Sequence, residues 1–232
     1  MAPTLLFLPG TLCDARAWDA TMRALAGEAT CAVVDYRFEE SIAAMAGVAL
    51  AAVAGPLIPI GLSMGGMVAL EIWRQAAQRV VALALFGTDP GADTALPRAR
   101  RDARVLRATH GEFRAMVEDD LVPSYFSSTR ATEASPLETA VAMALAQGVG
   151  AFAAQATALA TRPDCWALLE RIAVPGLIAC GSEDRICLPE SHERMAARMP
   201  MAKLAIIANA GHLAPLEQPA AAARLLRDLM RA

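Results

Sequence analysis

Short apolar runs punctuate this chain, and most are closed by glycine, proline or a polar residue. They are "TLLFLPG" (4–10), "TCAVVDY" (30–36), "PLIPIGL" (56–62), "VVALALFG" (80–87), "VPGLIACG" (174–181) and "KLAIIANA" (203–210). Runs of this length without strict polar alternation describe strands buried on both faces. Between them, helical spacing predicts helices at about 15–27, 40–54, 65–78, 188–199 and 217–231. Alternating strands and helices predict an α/β chain: a mostly parallel sheet of about six strands with helices on both faces.

The stretch 89–170 breaks this rhythm. It offers no strand, only helical segments such as "LPRARRDARVLRATH" and "PLETAVAMALAQGVGAFAAQATALA". The expected organisation is a core of 1–88 and 171–232 carrying an inserted helical cap, 89–170. A second irregularity is the uncharged stretch from Ile42 to Leu70. It is long enough for a membrane span, but Gly55, Pro56 and Pro59 break it near its middle. A helix, a turn and a buried strand account for it better, and no membrane span is expected.

Composition narrows the function classes. The 232 residues suit one domain, and 56% are hydrophobic, with alanine supplying much of the excess. A net charge of −3 and 5% aromatic residues give neither the field nor the stacking rings expected of a nucleic-acid binder. Five cysteines, without a CxxC pair, make a disulfide framework improbable. The start, "MAPTLLFLPGTLCD", lacks the basic region of a signal peptide. A cytoplasmic, reducing location is expected.

The candidate chemistry begins at "GLSMGG" (61–66), which fits G-x-S-x-G between a predicted strand and a predicted helix. Such a turn presents the Ser63 hydroxyl, and it places the Met64 N–H at a helix start, where negative charge is stabilised. Serine needs a base. Of three histidines, His110 and His192 lie in helices rich in charge and read as surface residues, whereas His212 follows a strand in "NAGHLAP". The imidazole needs an orienting acid. Asp184 in "CGSEDRICLP" is the candidate, with Glu183 its solvated neighbour and Asp89 in "FGTDPG" the alternative. The second oxyanion donor falls in "LPGTLCDARAW": Thr11 N–H, with Leu12 the neighbouring choice. Cys13 has no adjacent base and reads as packing.

Together, "LPGTLCDARAW", "GLSMGG", "CGSEDRICLP" and "AGHLAPLEQP", spread over residues 8 to 219, resemble the α/β-hydrolase superfamily. The resemblance is closest to small bacterial carboxylesterases and enol-lactonases of the pimeloyl-carrier-protein methyl ester esterase type. It implies a Ser63–His212–Asp184 triad, a backbone oxyanion hole from Thr11 and Met64, and an acyl-enzyme, with no cofactor and no metal. Where relatives carry a histidine before the glycine of the first loop, this chain has Pro9. Relatives also carry two further strands at the start, so an open sheet edge and a homodimer contact are expected here.

Substrate choice falls to the cap and the loop mouths. Leu12, Met116, Leu121, Tyr125, Phe126, Met143 and Phe152 are candidates for an apolar pocket, or for ordinary helix packing. Arg98, Arg100, Arg101, Arg104, Arg107 and Arg114 suit an anionic substrate or an acidic carrier protein, or a solvated face paired with Glu112, Glu118, Asp119 and Asp120. Trp18 and Trp166 read as anchors. Three functions stay open: hydrolysis of a small-molecule ester, thioester or lactone; C–C hydrolysis or lyase chemistry on the same fold; and ligand binding without catalysis.

Overall fold

The computed structural model describes residues 2–128 and 134–232, so part of the expected cap lies outside the described residues. Six parallel strands form one sheet in the order β2-β1-β3-β4-β5-β6. They are β1 (Thr4–Leu8), β2 (Thr30–Val33), β3 (Leu57–Leu62), β4 (Leu83–Phe86), β5 (Gly176–Gly181) and β6 (Ala202–Ile207). The helices of the core are α1 (Asp19–Ala24), α2 (Ile42–Ala52) and α3 (Met64–Ala76). Between β4 and β5 come α4 (Ala95–Arg107), α5 (Phe113–Ala115), α6 (Val122–Tyr125), α7 (Ala134–Ala160) and α8 (Trp166–Leu169). The chain closes with α9 (Pro189–Arg198), α10 (Ala214–Glu217) and α11 (Pro219–Met230).

Alternation along each strand builds two cores. Leu5 and Phe7 of β1 join Ile58, Ile60 and Leu62 of β3 on the face covered by α11 and the helices after β4. Leu6 and Leu8 join Leu57, Met45 of α2 and Val68 and Ile72 of α3 on the other. Trp18 is fully buried among the first group, with its ring 5.1 Å from Phe7 and 5.5 Å from Phe86.

The boundaries differ from expectation where a turn residue intervenes. Strand β2 stops at Val33, because Tyr36 turns back to donate its hydroxyl proton to Pro9 O at 2.6 Å. The helix expected over 15–27 divides into a single turn at Ala15–Ala17, capped by Asp14, and α1. The uncharged stretch 42–70 folds as α2, a turn, β3 and the start of α3. Among the described residues, one helical stretch, Pro136–Ala160, is long and apolar enough to cross a membrane. It is interrupted at Gly148 (φ 80°, ψ 172°), and its Ala140, Met143, Ala144 and Phe152 pack into the first core.

The strand order reverses between β1 and β3. Loops leaving neighbouring strands on the two sides of such a switch point part from one another and leave a crevice at the carboxyl ends. The loop after β1 carries Thr11 and the turn after β3 carries Ser63, so both open into that crevice.

Candidate active site

Ser63 occupies the single residue between β3 and α3 at φ 54° and ψ −117°, a strained region for a side chain other than glycine. Three bonds hold it there: Ser63 N–H donates to Phe86 O at 2.8 Å, and Ser63 O accepts from Gly66 N–H at 2.9 Å and Thr88 Oγ1 at 2.6 Å. The glycines are required by close approach of backbone to backbone. A methyl at Gly61 would stand 2.2 Å from Gly65 O, and one at Gly65 would stand 2.0 Å from Leu8 O.

The three groups expected to act together are joined. Ser63 Oγ lies 2.9 Å from His212 Nε2, and His212 Nδ1 lies 3.0 and 3.2 Å from the two carboxylate oxygens of Asp184. His212 and Asp184 are buried, while Ser63 is half-buried at the crevice. Asp184 accepts further from Ile186 N–H at 2.8 Å and Cys187 N–H at 2.9 Å. Burial raises the affinity of this carboxyl for its proton. The attraction and hydrogen bond of His212, with the two N–H donors, outweigh that and hold it below the usual carboxylate range. With Asp184 accepting at Nδ1–H, the imidazole presents its bare Nε2 to the serine hydroxyl. Asp89 is spent elsewhere, accepting from Gly91 N–H in its own turn.

The backbone around the serine offers two donors. Met64 is the first residue of α3, where an N–H has no partner within the helix. Thr11 follows Gly10, in a turn closed by Cys13 N–H to Gly10 O at 3.1 Å. Among the described residues no acceptor takes either N–H. The neighbouring choice, Leu12, has its N–H committed to Gln155 Oε1 of α7 at 2.9 Å. Cys13 is buried, and burial beside Asp14 pushes its thiol up to about 12, so it stays protonated.

Four expected pocket residues, Leu12, Leu121, Tyr125 and Met143, line a small cavity with Thr11 and Leu213. Its volume is about 10 Å³, space for about one water. Met116, Phe126 and Phe152 do not line it. They are buried in the first core, where Phe152 packs 6.2 Å from Phe113. Of the arginines, Arg101 pairs with Asp93, Arg107 with Glu112 and Asp120, and Arg114 with Glu118. Trp166 lies under Arg194 and Arg198 at 4.8 and 5.4 Å. Among the described residues, no group of three His, Cys, Asp or Glu side chains is placed to hold a metal.

Two expectations need correction. His192 is buried rather than on the surface. It sits with Met195 on the inner face of α9, accepts from Thr88 N–H at Nε2 (3.1 Å), and lies 3.0 Å from Leu188 O through Nδ1. Glu183 is not merely solvated; it accepts from the Ser128 N–H and hydroxyl at 2.8 and 2.7 Å. Two supporting residues were not foreseen. The buried Glu217 accepts from Ser127 N–H at 2.9 Å and Gly211 N–H at 2.7 Å, fixing the loop that carries His212. Gln155 fixes the loop that carries Thr11. The available signal for Gln155 is an amide in a largely apolar stretch, "GAFAAQATALA"; Glu217, beside Gln218 in "HLAPLEQP", carries no such mark.

A family model described as the alpha/beta hydrolase family matches residues 5–225. A 2-succinyl-6-hydroxy-2,4-cyclohexadiene-1-carboxylate synthase of Salmonella typhimurium is 29% identical over 176 residues, 74% of this chain and 67% of its own length. A Bacillus subtilis relative named for the same reaction is 28% identical over 181 residues, 74% of this chain and 64% of its own length. The chain thus matches about two thirds of the length of these relatives. A thermophilic esterase from Thermogutta terrifontis, solved with malate bound, superposes at a TM-score of 0.90 and 25% identity, covering 100% of this chain and 90% of its own. The enol-lactonase from Burkholderia xenovorans superposes at 0.88 and 19% identity, covering 100% and 92%, a likeness of fold alone.

Proposed function

The chain belongs to the alpha/beta hydrolase family, and from that premise we propose that it is a serine hydrolase cleaving the carboxylic ester of a small molecule. The observation that carries this reading is the continuous chain Ser63 Oγ–His212–Asp184 at hydrogen-bond distances. His212 Nε2 takes the hydroxyl proton as Ser63 Oγ attacks the ester carbon. The oxyanion that forms is held by the N–H groups of Met64 and Thr11. His212 then delivers its proton to the alcohol oxygen, the C–O bond breaks, and the acyl group remains on Ser63. Water attacks the acyl-enzyme by the same route in reverse, giving the free acid and restoring the serine. Asp184 stays ionised throughout and stabilises the imidazolium.

The surroundings of the carbonyl select the acyl group. The cavity beside Thr11 and Leu213 is lined by Leu12, Leu121, Val122, Tyr125 and Met143, and by no cation. That lining suits an uncharged acyl group, and about 10 Å³ suits a short one. A second reading follows from the curated relatives, which are named for a synthase whose product is a cyclohexadiene carboxylate. In it, the same Ser63–His212 pair removes a proton and drives elimination. The apolar lining of this small cavity favours the ester reading.

The test is hydrolysis of p-nitrophenyl esters from acetate to decanoate, with Ser63→Ala alongside. Turnover that is fastest on acetate and vanishes in the variant supports the proposal. An inert but folded wild-type protein would overturn it in favour of elimination chemistry.

A further inference from the structure

The loop after β1 separates two cavities of different character. Thr11 and Leu12 face the small apolar one. On the other side, Pro9, Gly10 and Cys13 wall a cavity of about 220 Å³, completed by Tyr36, Gln147 and Gln155. Gly10 stands between this cavity and the serine. A methyl added at Gly10 would stand 3.2 Å from Ser63 Cβ.

Its polar groups are nearly all committed. Arg37 pairs with Asp35 and Arg16 with Asp14 at its rim, so both charges are already balanced. The Tyr36 hydroxyl donates to Pro9 O, and Gln155 Oε1 accepts from Leu12 N–H. Burial also keeps Tyr36 and Cys13 in their neutral forms. Apart from the Gln155 amide nitrogen, which meets no acceptor among the described residues, Gln147 of α7 remains. It is 6% exposed, and its Oε1 has no hydrogen-bond partner. A primary amide carries donors at one end and an acceptor at the other, and a half-turn about its last bond exchanges them.

This inference rests on the ester reading given above. We propose that the larger cavity receives the alcohol part of the ester, and that this alcohol carries a neutral hydroxyl that pairs with Gln147. The chemistry of the lining selects that group. A hydroxyl donates and accepts, as an amide requires. A carboxylate or phosphate only accepts, and meets arginines already taken by aspartates. An alkyl chain leaves the buried amide unpaired. A carbonyl held by Thr11 and Met64 would therefore send its short acyl group to one side of the loop and its polar alcohol to the other.

The experiment compares acetate esters that differ in one atom of the alcohol: 2-hydroxyethyl acetate against propyl acetate, with the anionic acetoxyacetate as a third. Each is measured as kcat/KM with wild type and Gln147→Leu. The ratio of the first two esters, compared between proteins, cancels their intrinsic reactivity. The wild type is expected to prefer the hydroxyl ester over both others by roughly tenfold or more, and Gln147→Leu to bring its ratio to propyl acetate near one. Equal rates in wild type, a preference that survives Gln147→Leu, or a preference for the anionic ester would each overturn the proposal while leaving the hydrolase reading intact. If no ester is turned over, p-nitrophenyl acetate included, the hydrolase reading fails and this inference falls with it. Should Gln147→Leu fold poorly by thermal melting, Gln147→Met, which keeps the length and loses the amide, takes its place.

Discussion

Replacing Gln155 by leucine tests whether α7 sets the geometry of the proposed oxyanion donors. In the folded chain, Gln155 Oε1 accepts from Leu12 N–H at 2.9 Å, a buried bond spanning 143 residues of sequence. Leu12 itself sits at φ 57°, a left-handed conformation that costs a leucine about 1–2 kcal/mol. The bond holds that strained residue, and with it the preceding Thr11 N–H. Leucine is close to glutamine in size and removes the amide, and with it the acceptor for Leu12 N–H. A buried N–H left without a partner costs about 1–3 kcal/mol. For a domain of this size that corresponds to a fall in Tm of roughly 2–12 °C.

The effect on rate has an upper bound in the loss of one oxyanion donor, about 10²–10³ in kcat. Here the Thr11 N–H is displaced, not deleted, so a smaller fall is expected. The expected result is kcat on p-nitrophenyl acetate lower by roughly 10- to 100-fold, with KM little changed, because the donor acts on the transition state. Gln155→Glu keeps an oxygen acceptor and should retain most of the rate. A Gln155→Leu protein that melts early yet turns over at the wild-type kcat would refute the reasoning, since the bond would then support the fold without placing the donor.

Three further outcomes follow from the same frame. Gly66→Ala brings a methyl to 2.6 Å from Thr88 Cβ and Oγ1, the hydroxyl that holds Ser63 O, so kcat should fall by roughly tenfold or more while far-UV circular dichroism is retained; an unchanged kcat sinks the idea. Glu217→Gln leaves one oxygen for the two N–H donors of Ser127 and Gly211, and urea denaturation should show a loss of about 1–3 kcal/mol; a superimposable curve refutes it. Burial holds His192 below its ordinary 6.5, so the folded state binds fewer protons than the unfolded chain; its contribution is complete above 6.5 and is lost as pH falls from there through the lower folded value, and His192→Gln should flatten Tm against pH in that range. A variant with the wild-type slope would show that His192 is not the group responsible. The depressed Asp184 acts lower, its contribution fading only as pH falls below 3.8.

Much of the scaffold is legible because the four inner strands, β1, β3, β4 and β5, are buried on both faces. Leu5, Leu6, Phe7 and Leu8 are all buried, so β1 reads as an unbroken apolar run rather than an alternating one. The glycines of "GLSMGG" are legible for a related reason: backbone contacts of 2.2 and 2.0 Å admit no side chain at 61 or 65. What stays hidden is the partner of each polar group across the fold. His192 lies among Glu190, Glu193 and Arg194, which mark the outer face of α9. Its own face shows only in the spacing to Met195 and Met199, three and seven positions on. Similarly, nothing near Leu12 in sequence announces that its N–H is taken from 143 residues away.

The two buried histidines show why residue type alone does not assign a base. Both approach the carboxyl end of β4: a methyl on Gly87 would stand 3.3 Å from His212 Nδ1, and the next N–H, that of Thr88, is donated to His192. Each ring has one nitrogen directed at an acceptor, Asp184 for His212 and Leu188 O for His192. The difference lies at the other nitrogen. Nε2 of His192 accepts a backbone N–H, a partner whose proton is never transferred, so the ring is locked as a strut beneath the turn that holds Ser63 O. Nε2 of His212 meets a hydroxyl on a half-buried residue at the crevice, the one partner of the pair that can surrender a proton as it forms a new bond. In the proposed mechanism, catalytic competence therefore follows from what faces the second nitrogen. That depends on the reversal of strand order between β1 and β3, which opens the crevice over Ser63 and leaves His192 sealed behind β4.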